Sequence, residues 1–155
     1  MNIVYIAGPY TGKTYEEVDR HIVAARDAAA SLAKAGVGFL CPHMNSAHFE
    51  VITPDVGADY WYELGLELLA ACDALYLLPG WQDSVGSRKE RDHALKTGIP
   101  VFDDLNAVIR WMFRRGCIVC EGGHHLWVDN MDSCRCCGAV QPPHTSEYPS
   151  TYPLA

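Results

Sequence analysis

The chain has 155 residues, of which 49% are hydrophobic and 20% are charged, a balance typical of a globular protein whose core needs no disulfides. Its net charge of -7 argues against broad binding to a DNA or RNA backbone, although one nucleotide phosphate needs only a local group of N–H donors. Without a membrane-length apolar segment or a signal-peptide pattern, we expect a cytoplasmic protein that binds no membrane.

Segments with strand-like and helix-like patterns alternate along residues 1–115. The predicted strands are short apolar runs, at 2–7, 37–40, 74–78 and 99–102. The predicted helices have apolar side chains at helical spacing, at 15–35, 59–71, 85–97 and 105–115. Asp59 is expected to cap the second helix and Asp103 or Asp104 the last one. Residues 43–58 have no clear period and are expected to form a long loop.

This alternation predicts an α/β domain over residues 1–115. Its sheet should be parallel and Rossmann-like or flavodoxin-like, with helices on both faces. Ligands of such sheets bind beyond the carboxyl ends of the strands. The candidate site therefore comprises the segments that follow three predicted strands, at 8–14, 42–49 and 79–90.

Two closely spaced cysteine pairs predict a zinc ribbon over residues 116–141, followed by an extended tail at 142–155. The two C-x2-C pairs supply four ligands: Cys117, Cys120, Cys134 and Cys137. A structural zinc ion needs four tetrahedral ligands, so the cofactor is expected to be structural zinc. Cys136 could replace Cys137, and His124 could replace a thiolate. Reduced cysteines in a metal-free hairpin are the alternative.

A possible phosphate loop follows the first predicted strand. Residues 7–14 fit a relaxed P-loop pattern with Ala7 in place of the first glycine. In a P-loop, Lys13 would contact the β- and γ-phosphates and Thr14 would bind Mg²⁺, with Asp103 as the candidate metal-holding carboxylate. Because the strict pattern fails at its first position, a P-loop-type NTPase or kinase is an alternative interpretation.

A second candidate phosphate site opens the predicted helix 85–97. Ser84 and the N–H groups near Gly86 could hold a phosphate at the helix start. Glu90, one turn further on, could attack a sugar carbon. A purely structural interpretation is open as well, because Ser87 and Glu90 have the spacing of a capping box.

These residues resemble the nucleoside 2-deoxyribosyltransferase superfamily, especially its nucleoside 5′-monophosphate N-glycosidase branch. The matching segments are 5–10 (YIAGPY), 72–74 (CDA), 84–90 (SVGSRKE) and 98–101 (GIPV). The resemblance implies an N-glycosidic bond hydrolase or glycosyl transferase with a glutamate nucleophile. In that reaction the glutamate attacks the anomeric carbon, the base leaves, and water or a second base resolves the glycosyl-enzyme.

Site residues are carried over from the family by motif position. Glu90 takes the place of the nucleophile, and Ser84 and Gly86 take the places that hold the 5′-phosphate. The glycine loop implies that Gly8 and, more loosely, Tyr5 and Tyr10 line the nucleotide site. The candidates for a second carboxylate are Asp73, Asp83 and Asp59. The candidates for contact with the base are His43, His48, Trp61 and Trp81.

The chain departs from the better-known members of that superfamily in two segments. The roles of the loop at 41–55 do not transfer from the family, and the zinc ribbon is an addition. A non-catalytic nucleotide-binding or sensing module with the same fold is therefore a further alternative. The resemblance also implies a homo-oligomer, with apolar residues of the 59–71 helix as a possible interface.

Overall fold

The structure, a computed structural model, describes residues 2–115. Four strands form a fully parallel sheet in the order β2-β1-β3-β4. Its strands are β1 (Ile3–Ala7), β2 (Gly38–Leu40), β3 (Ala74–Leu77) and β4 (Val101–Phe102). This confirms the predicted α/β fold, and the order is that of the first four strands of a flavodoxin-like sheet.

Six helices accompany the sheet within residues 2–115. They are α1 (Tyr15–Lys34), α2 (Pro42–Asn45), α3 (Phe49–Ile52), α4 (Ala58–Ala70), α5 (Val85–Thr97) and α6 (Leu105–Arg115), with a 3₁₀ turn at Trp81–Asp83. Right-handed crossovers place α1 on one face of the sheet and α4 and α5 on the other. The predicted loop at 43–58 contains α2 and α3, because helices of four residues are too short to show a 3.6-residue period.

The two central strands are almost entirely buried, which explains their continuous apolar sequences. Tyr5 and Ala7 of β1 pair with Leu75 and Leu77 of β3. These four side chains form one core cluster, together with Leu69 of α4, Cys72 and Ala94 of α5. The cluster fixes α4 and α5 beneath the carboxyl ends of β1 and β3.

The helix starts agree with the predicted caps at one position and differ at another. Asp104 caps α6, since its Oδ1 accepts hydrogen bonds from the N–H groups of Asn106 (2.7 Å) and Ala107 (3.0 Å). Asp59 lies in the first turn of α4, and the N-cap is Gly57, which makes no side-chain hydrogen bond. The prediction that Asp59 caps this helix is therefore wrong.

The predicted zinc ribbon and tail, with all four proposed cysteine ligands, lie outside the described residues. Among residues 2–115, no group of His, Cys, Asp or Glu side chains has an arrangement that could hold a metal ion. Over the same range, none of the helices has the length and apolar character needed to cross a membrane.

Candidate functional site

A cavity of about 690 Å³ lies at the carboxyl ends of β1 and β3. The chain leaves these neighbouring strands toward opposite faces of the sheet, which is where α/β proteins bind ligands, and the volume suits a small molecule. Nine of the thirteen candidate site residues named for this domain line the cavity: Tyr5, Gly8, Tyr10, His43, Trp61, Asp83, Ser84, Gly86 and Glu90.

Tyr5 and Glu90 form the polar centre of the cavity. The Tyr5 hydroxyl donates a hydrogen bond of 2.6 Å to Glu90 Oε1. Burial raises the pKa of Glu90 above its ordinary value, and the bond from Tyr5 opposes this rise only in part. Burial and the adjacent carboxylate also raise the pKa of Tyr5, so the phenol keeps its proton and remains the donor. The result is a partly dehydrated carboxylate held in one place by a tyrosine.

The structure contradicts the capping-box interpretation of Glu90. The N-cap of α5 is Ser84, whose Oγ accepts the 3.2 Å hydrogen bond from the N–H of Ser87. Ser87 is thus the third helical residue, and Glu90 lies a further turn along. Its carboxylate bonds to Tyr5 of β1 instead of to the helix start.

The start of α5 contributes the second polar feature of the cavity. The first turn of this 13-residue helix contains no acidic side chain, and the nearest carboxylate in sequence is Asp83, just before the N-cap. No side chain of the first turn therefore neutralises the partial positive charge of its N–H groups. Ser87 Oγ is buried and has no hydrogen-bond partner among the described residues. Gly86 packs closely against the Tyr62 ring, since a Cβ atom there would lie only 3.2 Å from it. The donors at this corner, and not its volume, are what suit an anionic group.

The start of α1 differs from that of α5. The Lys13 N–H donates to Glu17 Oε2 (2.6 Å), and Thr14 Oγ1 caps the helix by accepting from the Glu17 N–H (3.3 Å). Glu16 and Glu17 place two acidic side chains in the first turn. A phosphate would meet negative charge and occupied donors here, so the geometry gives no support to the P-loop alternative.

Asp73 does not lie near Glu90. It precedes β3 at the amino end of the sheet, where its Oδ2 accepts a 2.8 Å hydrogen bond from the Ile3 N–H. Strand direction puts that edge opposite the cavity, so Asp73 cannot act as the second carboxylate. Asp59 is exposed and does not line the cavity, whereas Asp83 lies exposed at its edge.

The base-contact candidates lie in three places: the cavity, the core cluster and the surface. His43 and Trp61 line the cavity. Trp81 packs against the core cluster and lies 5.2 Å from the Arg91 guanidinium. His48 contacts two carboxylates instead, Asp19 at 2.9 Å and Glu50 at 3.4 Å.

Tyr10 ties the loop after β1 to the loop after β2. Its hydroxyl donates to Glu50 Oε2 (2.8 Å) and accepts from the His48 N–H (2.8 Å). Burial and the hydrogen bond to Glu50 raise the pKa of Tyr10 to about 12. Two segments that the sequence analysis treated separately therefore form one wall of the cavity.

Gly65 is a site residue that the sequence analysis missed. It is buried on α4, and a Cβ atom there would lie 3.0 Å from Tyr5 Oη and 3.2 Å from Glu90 Oε1. An isolated glycine inside a helical pattern often has a packing or functional reason, and that signal was present in the sequence.

The fold and the cavity place the chain in the class of α/β proteins that bind a ligand at a topological switch point. The chain belongs to the DUF4406 family, described as a domain of unknown function, whose model matches residues 2–103. No curated protein matches the chain.

Proposed function

We propose that the protein hydrolyses, or transfers the glycosyl group of, the N-glycosidic bond of a nucleoside 5′-monophosphate, with Glu90 as the nucleophile. One observation carries this proposal: Glu90 lies hydrogen-bonded to Tyr5 (2.6 Å) inside a cavity of nucleotide size. The resemblance of this domain to the nucleoside 2-deoxyribosyltransferase superfamily supports the same assignment.

The proposed chemistry uses the dehydration of Glu90. Burial removes part of the water that stabilises the negative charge of Glu90, so the carboxylate loses less by reacting than one in water would. The Tyr5 hydroxyl orients the carboxylate through a hydrogen bond and keeps its own proton. Glu90 attacks the anomeric carbon, the C–N bond breaks, and its electrons leave with the base. Water or a second base then attacks the same carbon and restores the carboxylate.

The α5 corner suits the 5′-phosphate. The hydroxyls of Ser84 and Ser87 and the open N–H groups near Gly86 lie one helical turn before Glu90. A phosphate held there places the sugar beside Glu90. In this arrangement Asp83, which directly precedes Ser84 at the edge of the cavity, would lie at the phosphate end and away from the leaving base.

The deciding experiment is incubation with a panel of ribo- and deoxynucleoside 5′-monophosphates, followed by chromatography for free base. We expect Glu90→Gln to lower base release by orders of magnitude, because it removes covalent attack, while nucleotide binding survives. Asp92→Asn is the matched control, since Asp92 is an exposed carboxylate on the same helix, and it should retain full turnover. Equal turnover in Glu90→Gln and Asp92→Asn would reject the nucleophile and favour a non-catalytic nucleotide-binding module.

A homo-oligomer remains a prediction from the resemblance. Tyr60 and Leu64 are exposed on α4, at 54% and 37%, and are the apolar side chains of this helix that a second copy would cover. Light scattering that gives a monomeric mass at micromolar concentration would contradict it.

A further inference from the structure

His43 is a histidine whose protonation pattern the structure fixes. It lies in α2, just beyond the end of β2, and is only 5% exposed. Its Nε2 lies 2.8 Å from the Pro9 carbonyl oxygen. A carbonyl oxygen can only accept a hydrogen bond, so Nε2 carries a proton and donates it. The carbonyl thereby sets which ring nitrogen is protonated in the neutral ring.

The second ring nitrogen is a free acceptor. Burial lowers the pKa of His43 below its ordinary value, and the nearby Pro9 and Gly8 carbonyls offset this only in part. The ring is therefore neutral at neutral pH, and Nδ1 has a lone pair. Nδ1 is buried and has no partner among the described residues. A buried acceptor without a partner destabilises the protein until a donor reaches it.

The sheet order indicates which part of a nucleotide reaches His43. Glu90 and Ser84 belong to the segment after β3, and His43 to the segment after β2, with β1 between them. The 5′-phosphate and the base project from opposite ends of a furanose ring. A nucleotide with its phosphate at α5 and its sugar at Glu90 therefore directs its base toward β2, where the Tyr10 and His43 rings meet edge-on at 5.6 Å.

We propose that His43 determines base specificity by accepting, at Nδ1, a hydrogen bond from an exocyclic amino group of the base. The substrates are then nucleoside monophosphates of an amino-bearing base, and this assignment rests on the proposed function above. A carbonyl in the same position would bring two lone pairs together, and a C–H would leave Nδ1 unpaired. Because neutral Nδ1 carries no proton, His43 is not the acid that protonates the leaving base.

The test compares nucleotides that differ by one amino group. Binding to the Glu90→Gln protein is measured by calorimetry for the adenine and purine nucleotides and for the cytosine and 2-pyrimidinone nucleotides, each as ribo- and deoxymonophosphate. We expect at least one amino-bearing nucleotide to bind about 10- to 100-fold more tightly than its partner. His43→Phe keeps a ring and removes the Nδ1 acceptor, so it should abolish that preference. His43→Gln keeps both an N–H donor for the Pro9 carbonyl and a neighbouring carbonyl acceptor, so it should retain part of the preference.

Several outcomes would overturn the proposal. Equal affinity within both pairs, measured with His43 intact, overturns it whether or not the His43 variants fold. A preference that survives in His43→Phe shows that another group recognises the amino group. If the His43 variants lose only a preference between ribo- and deoxynucleotides, the donor to Nδ1 is a sugar hydroxyl and not the base. If the binding preference holds but the protein with Glu90 intact releases no base, only the catalytic proposal fails.

Discussion

The Tyr5 hydroxyl lies 2.6 Å from the Glu90 carboxylate, although 85 positions separate the two residues in the chain. Tyr5 is fully buried in β1, so its position is set by the packing of the sheet. Glu90 lies in the second turn after the Ser84 cap, so its position is set by the start of α5. The orientation of the Glu90 carboxylate therefore depends on how β1 is positioned against β3, because β1 holds the tyrosine that bonds to it.

Replacing Tyr5 tests the hydrogen bond that its hydroxyl donates to Glu90. Tyr5→Phe keeps the ring and removes the hydrogen bond, so we expect the pKa of Glu90 to rise further and the acid limb of kcat/KM for base release to move to higher pH. A carboxyl whose pKa is raised on folding favours the native state at low pH and loses that contribution as pH rises through the folded pKa. The free energy of unfolding should therefore fall by about 1–3 kcal/mol at neutral pH and less in acid.

Urea unfolding at several pH values measures this difference. Leu75→Ala is the control, because Leu75 is a fully buried apolar residue of β3 that does not line the cavity. The cost of Leu75→Ala should not change between acid and neutral pH. If the loss of unfolding free energy in Tyr5→Phe is equally independent of pH, the hydrogen bond from Tyr5 does not affect the ionisation of Glu90.

Ser84 allows phosphate binding to be separated from helix capping. Ser84→Asp keeps a good N-cap but places a negative charge where we propose that the 5′-phosphate binds. We expect little change in melting temperature and at least a tenfold loss of monophosphate affinity from charge repulsion and lost donors. Binding of free nucleosides should hardly change, and isothermal titration of both ligand classes checks this. Equal losses for both classes would place the phosphate elsewhere.

Gly65 tests how closely the Tyr5–Glu90 pair is packed. In Gly65→Ala, the new methyl group would lie 3.0 Å from Tyr5 Oη and 3.2 Å from Glu90 Oε1, so one of the two must shift. The higher helix propensity of alanine, worth about 1 kcal/mol, offsets much of this cost. We expect a nearly unchanged melting temperature and a clear loss of base release.

Gly57→Ala is the matched control for that substitution. Gly57 is the N-cap of the same helix, and a Cβ atom there would meet nothing within 4 Å. Full activity in Gly57→Ala with reduced activity in Gly65→Ala would locate the effect at the carboxylate. Full activity in both variants would show that Tyr5 and Glu90 can shift without loss of base release, which contradicts the prediction.

Metal analysis tests the predicted zinc ribbon. We expect one zinc ion per chain, bound by Cys117, Cys120, Cys134 and Cys137, and lost in Cys134→Ser. Cys72→Ser should retain the metal, because Cys72 is a buried thiol whose Sγ donates to the Leu68 carbonyl oxygen (3.3 Å). Zinc-free protein that keeps its stability in chelator would disprove the site.

Local chemistry explains why the sequence predicted some elements well. The predicted helix 85–97 coincides with α5, because Ser84 supplies a side-chain cap and Gly98 adopts a left-handed φ of 78° at its end. Asp104 defines the start of α6 in the same way. In these cases one residue satisfies backbone groups within its own turn, so a single sequence contains the necessary information.

The remaining features depend on distant contacts. The partner of Glu90 is Tyr5, and the partner of Asp73 is Ile3, 70 positions away. Motif spacing could propose Glu90 as a functional residue but could not exclude Asp73. Both assignments depend on contacts between residues far apart in the sequence, which spacing within one turn does not reveal. The burial of His43 likewise follows from the approach of the Pro9 carbonyl, 34 positions away.

The close contact between Gly8 and Leu78 has a consequence for tracing how such domains diverge. A Cβ atom at position 8 would lie 2.5 Å from Leu78 Cδ1, so this glycine is demanded by packing whether or not a ligand binds beside it. A related domain with the same packing would need a glycine at this position to fold, whereas nothing in the packing of the sheet would oblige it to keep Glu90. Under the proposed function, a glycine loop without the Tyr5–Glu90 pair would mark a domain that keeps the fold and lacks the nucleophile.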